Sequence, residues 1–193
     1  MFSAERRREV QEITDKKKKL ALMAAFSAVA LIAIIFTGLK SEMALRLGDP
    51  YNIKIQGYDP YDPVRGKYIM FTIDTSKVRT SEDIGYAQSR VCYVTLVEDS
   101  EGFYVLDEAF LEKPEGVPYL KTFMRNYYDG SYFYTSPFDS YFLSEDISLN
   151  AETILNQNFE SAYVTVRIWN GTGVVSGMYV DGRSIEELAA AVG

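Results

Sequence analysis

Hydrophobic and polar positions change their period once along this chain, and the change divides it. From Ala21 to Leu39 there is no charged residue, and only Ser27 and Thr37 carry polar side chains. At ~1.5 Å rise per residue, a helix of that length spans about 28 Å, close to the hydrocarbon thickness of a bilayer. Beyond residue 50 the period falls to two. Tyr51–Gln56 alternates, and Tyr68–Asp74 places Ile69, Phe71 and Ile73 on one face with Tyr68, Met70 and Thr72 on the other. Val91–Glu98 and Phe103–Phe110 flank Asp99-Ser100-Glu101-Gly102, and Tyr163–Trp169 and Val174–Val180 flank Asn170-Gly171-Thr172-Gly173. Both arrangements predict hairpins. Ser131–Tyr134 and Tyr141–Leu143 read as short strands. Helices are predicted over 151–158, capped by Asn150, and over 185–192, capped by Ser184 with Glu187 at the capping-box position. The expected fold is mainly β within an α+β class: a small antiparallel β domain with one or two short helices, behind a single N-terminal transmembrane helix.

Charge orients this plan. The first twenty residues carry Arg6–Arg8 and Lys16–Lys19 for a net +3, and the remainder is net −10. Basic residues flanking a span stay on the cytoplasmic side. The reading is therefore a cytoplasmic basic tail over 1–20, a span over 21–39, a stalk over 40–50 and an extracytoplasmic β-rich domain over 51–193. The tail is expected to hug the anionic inner leaflet of the cytoplasmic membrane, and the main domain to be periplasmic or extracellular. A cleaved signal peptide fits less well. The apolar run is longer than a signal core, and Thr37-Gly38-Leu39-Lys40-Ser41-Glu42 offers no small-x-small cleavage site.

Cys92 is the single cysteine, so no internal disulfide forms, and in its alternating segment it reads as a small buried apolar residue. The chain has no histidine, which removes Ser-His-Asp and Cys-His chemistry. The acidic outer domain would repel phosphates, so nucleic acid is not an expected partner.

The densest local signal is Gly57-Tyr58-Asp59-Pro60-Tyr61-Asp62-Pro63-Val64-Arg65-Gly66-Lys67-Tyr68. Each proline sets its own φ and pushes the preceding aspartate away from helix. Asp59 and Asp62 would accept turn N–H groups, with Arg65 pairing one of them. The functional reading of the same residues is a small recognition site. Asp59 and Asp62 would hold a hard cation, or Arg65 a partner's carboxylate or phosphate, with Gly66 and Tyr68 beside it. The spacing does not match an EF-hand, and no metal or other cofactor is assigned.

This segment resembles the bacterial family named after a GDYXXLXYXI motif, in which an Asp-Pro-x-Asp-Pro-x-Arg-Gly lead runs into a strand. The likeness continues at Phe138–Asp146, similar to that family's Tyr-Phe-hydrophobic-x-Glu segment, and at Val164–Arg183, similar to its closing hairpin. The family's Gly-Asp-Tyr is Gly66-Lys67-Tyr68 here, and its Leu, Tyr and Ile fall at Phe71, Ile73 and Thr75. The resemblance implies a membrane-associated, extracytoplasmic protein without an assigned biochemical activity.

Three functions are weighed. The leading expectation is an accessory or structural subunit, held in the lipid bilayer and docked on a membrane or envelope protein. The alternative is a ligand- or glycan-binding module that stacks sugars on Tyr119, Phe123, Tyr127-Tyr128, Tyr132-Phe133-Tyr134, Phe138 and Tyr141-Phe142. The third is a signal-peptidase-like hydrolase. Its Ser-Met-x-Pro nucleophile segment has no counterpart beyond Ser41-Glu42-Met43-Ala44, and without a nucleophile and base the chemistry fails. No enzymatic activity is expected.

Overall fold

A computed structural model describes residues 2–59, 68–80, 83, 85, 88–126 and 132–192, with backbone alone for 2–15, 37 and 57–59. The chain divides into an N-terminal unit reaching Glu42 and a second unit from Met43 onward.

The first unit is helix α1, Phe2–Leu47, whose last turn belongs to the second unit. Its segment Lys16–Leu47 is long and apolar enough to cross a bilayer. Leu22, Phe26, Ile32 and Ile34 all expose more than 60% of their surface. In the last turn Ala44 is fully buried, and the Gly48 N–H donates to its carbonyl at 3.0 Å.

The second unit holds two sheets. Its strands are β1 (Asp49–Asp59), β2 (Tyr68–Ile73), β3 (Arg79–Thr80), β4 (Ser89–Glu98), β5 (Tyr104–Phe110), β6 (Tyr119–Asn126), β7 (Tyr132–Tyr134), β8 (Ser140–Phe142), β9 (Ala162–Trp169), β10 (Thr172–Val180) and β11 (Arg183–Ser184). Helices α2 (Glu145–Gln157) and α3 (Ile185–Ala190) complete it. The six-stranded sheet has the order β11-β10-β9-β1-β2-β8, and the five-stranded sheet β3-β5-β4-β6-β7. Every pairing is antiparallel except β3 with β5. The mainly β, α+β class expected from the alternation is what the chain adopts.

One core lies between the sheets. Ile53, Phe71, Val164, Val166 and Met178 reach it from the six-stranded sheet, and Cys92, Val94, Leu120 and Met124 from the five-stranded one. Along β9 every second residue is buried, the period a half-buried strand requires. The Asn170-Gly171 turn joins β9 to β10 with φ of 48° and 80°, and Asp181-Gly182 joins β10 to β11 with 50° and 76°. Two consecutive positive φ values are what a two-residue type I′ hairpin needs, because its twist matches the strands. In the Asp99–Gly102 turn the Asp99 carboxylate accepts the N–H groups of Glu101 at 2.8 Å and Phe103 at 2.9 Å.

Four expectations need correction. Strand β1 begins at Asp49 and runs through Asp59, beyond the Tyr51–Gln56 stretch that alternation predicts, with Gly57, Tyr58 and Asp59 paired with Thr72, Phe71 and Met70 of β2. Helix α2 starts at Glu145, behind Ser144, where two acidic residues favour the helix N-terminus. Asn150 is therefore no cap: it lies within the helix and its amide donates to the Ala189 carbonyl at 3.2 Å. Strand β6 was not expected, because its core-facing row Leu120-Thr122-Met124-Asn126 mixes polar with apolar side chains. The Thr122 hydroxyl donates to the Thr135 carbonyl, which makes its burial tolerable. Ser184 does cap α3, accepting the Glu187 N–H at 3.2 Å.

Candidate functional site

The motif residues separate into core and surface. Asp62, Arg65, Gly66 and Lys67 lie outside the described residues, as does the side chain of Asp59, whose backbone pairs with Met70 at the end of β1. Tyr68 opens β2 opposite Phe142 of β8, the rings 4.3 Å apart and tilted by 59°. Phe71 and Ile73, at the family's Leu and Tyr positions, are buried in the core. The described part of the motif thus encodes a core strand with an aromatic pair at its start.

The aromatic series proposed as a stacking platform is likewise divided. Tyr119, Tyr134 and Phe138 are buried, and Tyr127-Tyr128 lie outside the described residues. Phe123, Phe133 and Phe142 are exposed. Phe123 and Phe133 share a surface that alternation builds: as Cys92, Met124 and Tyr134 turn inward, Val91, Phe123 and Phe133 turn outward. Val91 sits opposite Phe123, and Phe133 opposite Arg125. Farther along the same sheet Val97 pairs with Val105. These five side chains are 38–55% exposed. Lys121 and Arg125 flank Phe123 on β6, giving this face a basic fringe within an acidic unit.

A second feature lies between the sheets. A cleft of about 500 Å³ is lined by Ile53–Gln56 of β1, Phe103–Asp107 at β5, and Asp74, Lys77 and Asp99. Its volume falls in the range of ligand pockets. Three ion pairs ring it: Lys54 with Glu101, Lys77 with Asp74 at 3.5 Å, and Arg79 with Asp107 at 2.8 Å. Lys54 also lies 4.8 Å from the centre of the Phe103 ring. Hydrogen bonds from Ser76 hold the Asp74 carboxyl below the usual carboxylate range, and the Phe103 N–H does the same for Asp99. None of these residues stood out in the sequence. The cleft forms where two strands distant in sequence approach each other, and no local pattern records that.

The buried titratable groups point to structure. Burial pushes the Cys92 thiol up to about 11, so it stays protonated and inert. Burial pushes the Tyr134 hydroxyl up to about 12. Tyr141 is raised by burial first and then by Glu186, to whose carboxylate its hydroxyl donates, linking β8 to α3. Among the described residues, no three of His, Cys, Asp and Glu gather as a metal site would require.

No curated protein and no solved structure matches this chain. Residues 30–178 match a family described as GDYXXLXY protein, a span that takes in the end of the apolar run and the sheets through most of β10. The chain belongs to the GDYXXLXY protein family.

Proposed function

We propose that this protein is a single-pass accessory subunit of a membrane or cell-envelope assembly, with its N-terminus in the cytoplasm and its β unit outside. In this reading, α1 holds the chain in the bilayer and the β4–β6–β7 face docks a protein partner. The observation that carries it is the cluster of Val91, Phe123 and Phe133 on the outer face of a sheet whose inner face already forms a full core. Apolar side chains grouped on a surface mark interaction sites more often than those scattered singly. Aromatic residues beside arginine are the composition of interface hot spots. The basic tail and acidic outer unit support the orientation.

The test is co-purification from gently solubilised membranes, comparing wild type with Phe123→Glu and Phe133→Glu. A stoichiometric partner lost from both variants, with sheet content unchanged, is the expected result. A partner retained by both, or found in none of the samples, overturns the docking reading. Orientation is checked separately: a cysteine at position 10 should resist an impermeant thiol reagent in intact cells, and one in the Glu112–Pro118 loop should react.

A second reading, a ligand-binding module, is favoured by the cleft between β1 and β5, with Phe103 and Tyr104 beside charged side chains.

A further inference from the structure

The cleft has an unusual boundary: two strand edges line it. Strand β1 changes partner along its length. Asp49–Lys54 pairs with β9 on one side, whereas Ile55–Asp59 pairs with β2 on the other. Among the described residues, no strand pairs with Asp49–Lys54 on the β2 side. Strand β5 shows the same feature. Its pairing with β4 runs from Tyr104 to Phe110, but β3 covers only Glu108 and Ala109 on the opposite edge. Among the described residues, no strand pairs with Tyr104–Asp107 on that edge.

Parts of both stretches border the same cleft: Ile53 and Lys54 of β1 and Tyr104–Asp107 of β5. Its lining contains four consecutive β1 residues, Ile53–Gln56, and five consecutive residues at β5, Phe103–Asp107. Consecutive lining residues mean that the edge of each strand borders the space, because one face alone would contribute every second residue. Asp74, just past β2, and Asp107, held by Arg79 of β3, also line it. No residue of β9 lines it, and the β4 side contributes only the turn residue Asp99.

We propose that this cleft binds an extended polypeptide segment of a partner by strand addition, over about four residues. An open edge presents the N–H and C=O groups of alternate residues, and an extended main chain is the ligand that matches such a row. Four residues at ~3.3 Å each span about 13 Å. Ile53, Ile55 and Leu106 supply the apolar floor, so the segment carries apolar side chains at alternate positions. Lys54, Lys77 and Arg79 offset three of the four rim carboxylates and leave Asp99, so main chain and apolar side chains outweigh net charge in selecting the segment. The site is separate from the β4–β6–β7 docking face, and each can fail without the other.

The test uses the full chain in lipid nanodiscs and a lysine-flanked Thr-Val-Thr-Val-Thr-Val peptide. Amide hydrogen exchange is followed by mass spectrometry. Saturating peptide should slow exchange at least several-fold in 49–56 and 103–108 and leave 119–134 unchanged. The same peptide with every second amide N-methylated should give no protection. Gln56→Trp, which fills the exposed mouth of the slot, should abolish the effect, and Gln56→Ala should keep it. Unchanged exchange in both segments overturns the proposal. So does equal protection by the N-methylated peptide, protection confined to 119–134, or the same protection by a chitin oligosaccharide, which would make the cleft a small-molecule site.

Discussion

The two sheets share one core and differ on their outer faces. Outside the six-stranded sheet, polar and aromatic groups are matched across strands. The Thr165 hydroxyl donates to the Asn52 side chain at 2.7 Å, and the Ser176 hydroxyl donates to the Thr165 carbonyl at 3.1 Å. Tyr163 stacks on Tyr179 at 5.2 Å and meets the edge of Phe103 at 5.3 Å. Tyr163 and Tyr179 are half-buried and their rings cover one another, while at the β2–β8 margin of the same sheet Tyr68 and Phe142 stay exposed. Outside the five-stranded sheet the corresponding positions are Val91, Val97, Val105, Phe123 and Phe133, all substantially exposed. The same alternation builds both faces. The difference is in what stands at the outward positions: hydrogen-bonded polar groups and stacked tyrosines across β1, β9 and β10, and exposed apolar side chains across β4, β5, β6 and β7.

The sharpest test of this contrast is energetic. Phe71→Ala, in the shared core and the family motif, should destabilise the β unit by about 3–5 kcal/mol in urea unfolding, the usual cost of emptying a large buried site. A loss near zero would mean that β2 is not a core strand.

A smaller effect is expected at the margin of the six-stranded sheet. Tyr141→Phe removes the hydrogen bond to Glu186 and should cost about 1 kcal/mol at neutral pH. The native phenol is raised above its ordinary value, so its contribution is complete below pH ~10 and fades as pH climbs past it. Wild type should lose stability above pH ~10 more steeply than the variant. Parallel alkaline limbs in the two proteins would remove Tyr141 from that role.

The outer faces can then be compared directly. Tyr163→Ala loses its two ring contacts and should cost about 1 kcal/mol. Phe123→Ala, on the exposed face, should cost less, about 0.5 kcal/mol, because more than half of its surface stays in water. Equal losses at both positions would erase the distinction between the faces.

Much of this architecture can be read from single segments. Asn170-Gly171 supplies two residues that tolerate positive φ between alternating runs, and the hairpin follows. Asp99 caps its own turn with a short carboxylate, a local effect visible in Asp-Ser-Glu-Gly. Strand β6 was missed for a physical reason. Thr122 and Asn126 point inward, and what licenses a buried threonine is the carbonyl of Thr135, just past the neighbouring strand β7. The start of α2 was misplaced because Asn150 has the chemistry of a cap yet spends it on Ala189 of α3. Of the motif residues, Phe71 and Ile73 could be assigned to a buried face by period, whereas the pairing of Tyr68 with Phe142 depends on β8 lying beside β2.

By itself the sequence determined an apolar helix of membrane length, an asymmetric charge distribution, the alternation that makes strands, and the hairpins at Asp99–Gly102 and Asn170-Gly171. All of these follow from interactions between residues close along the chain. Tertiary contacts settled which strands became neighbours, that Val91, Phe123 and Phe133 share one exposed face, and that β1 and β5 border one cleft. Those outcomes rest on pairing between segments distant in sequence, where register and burial are set by the whole core.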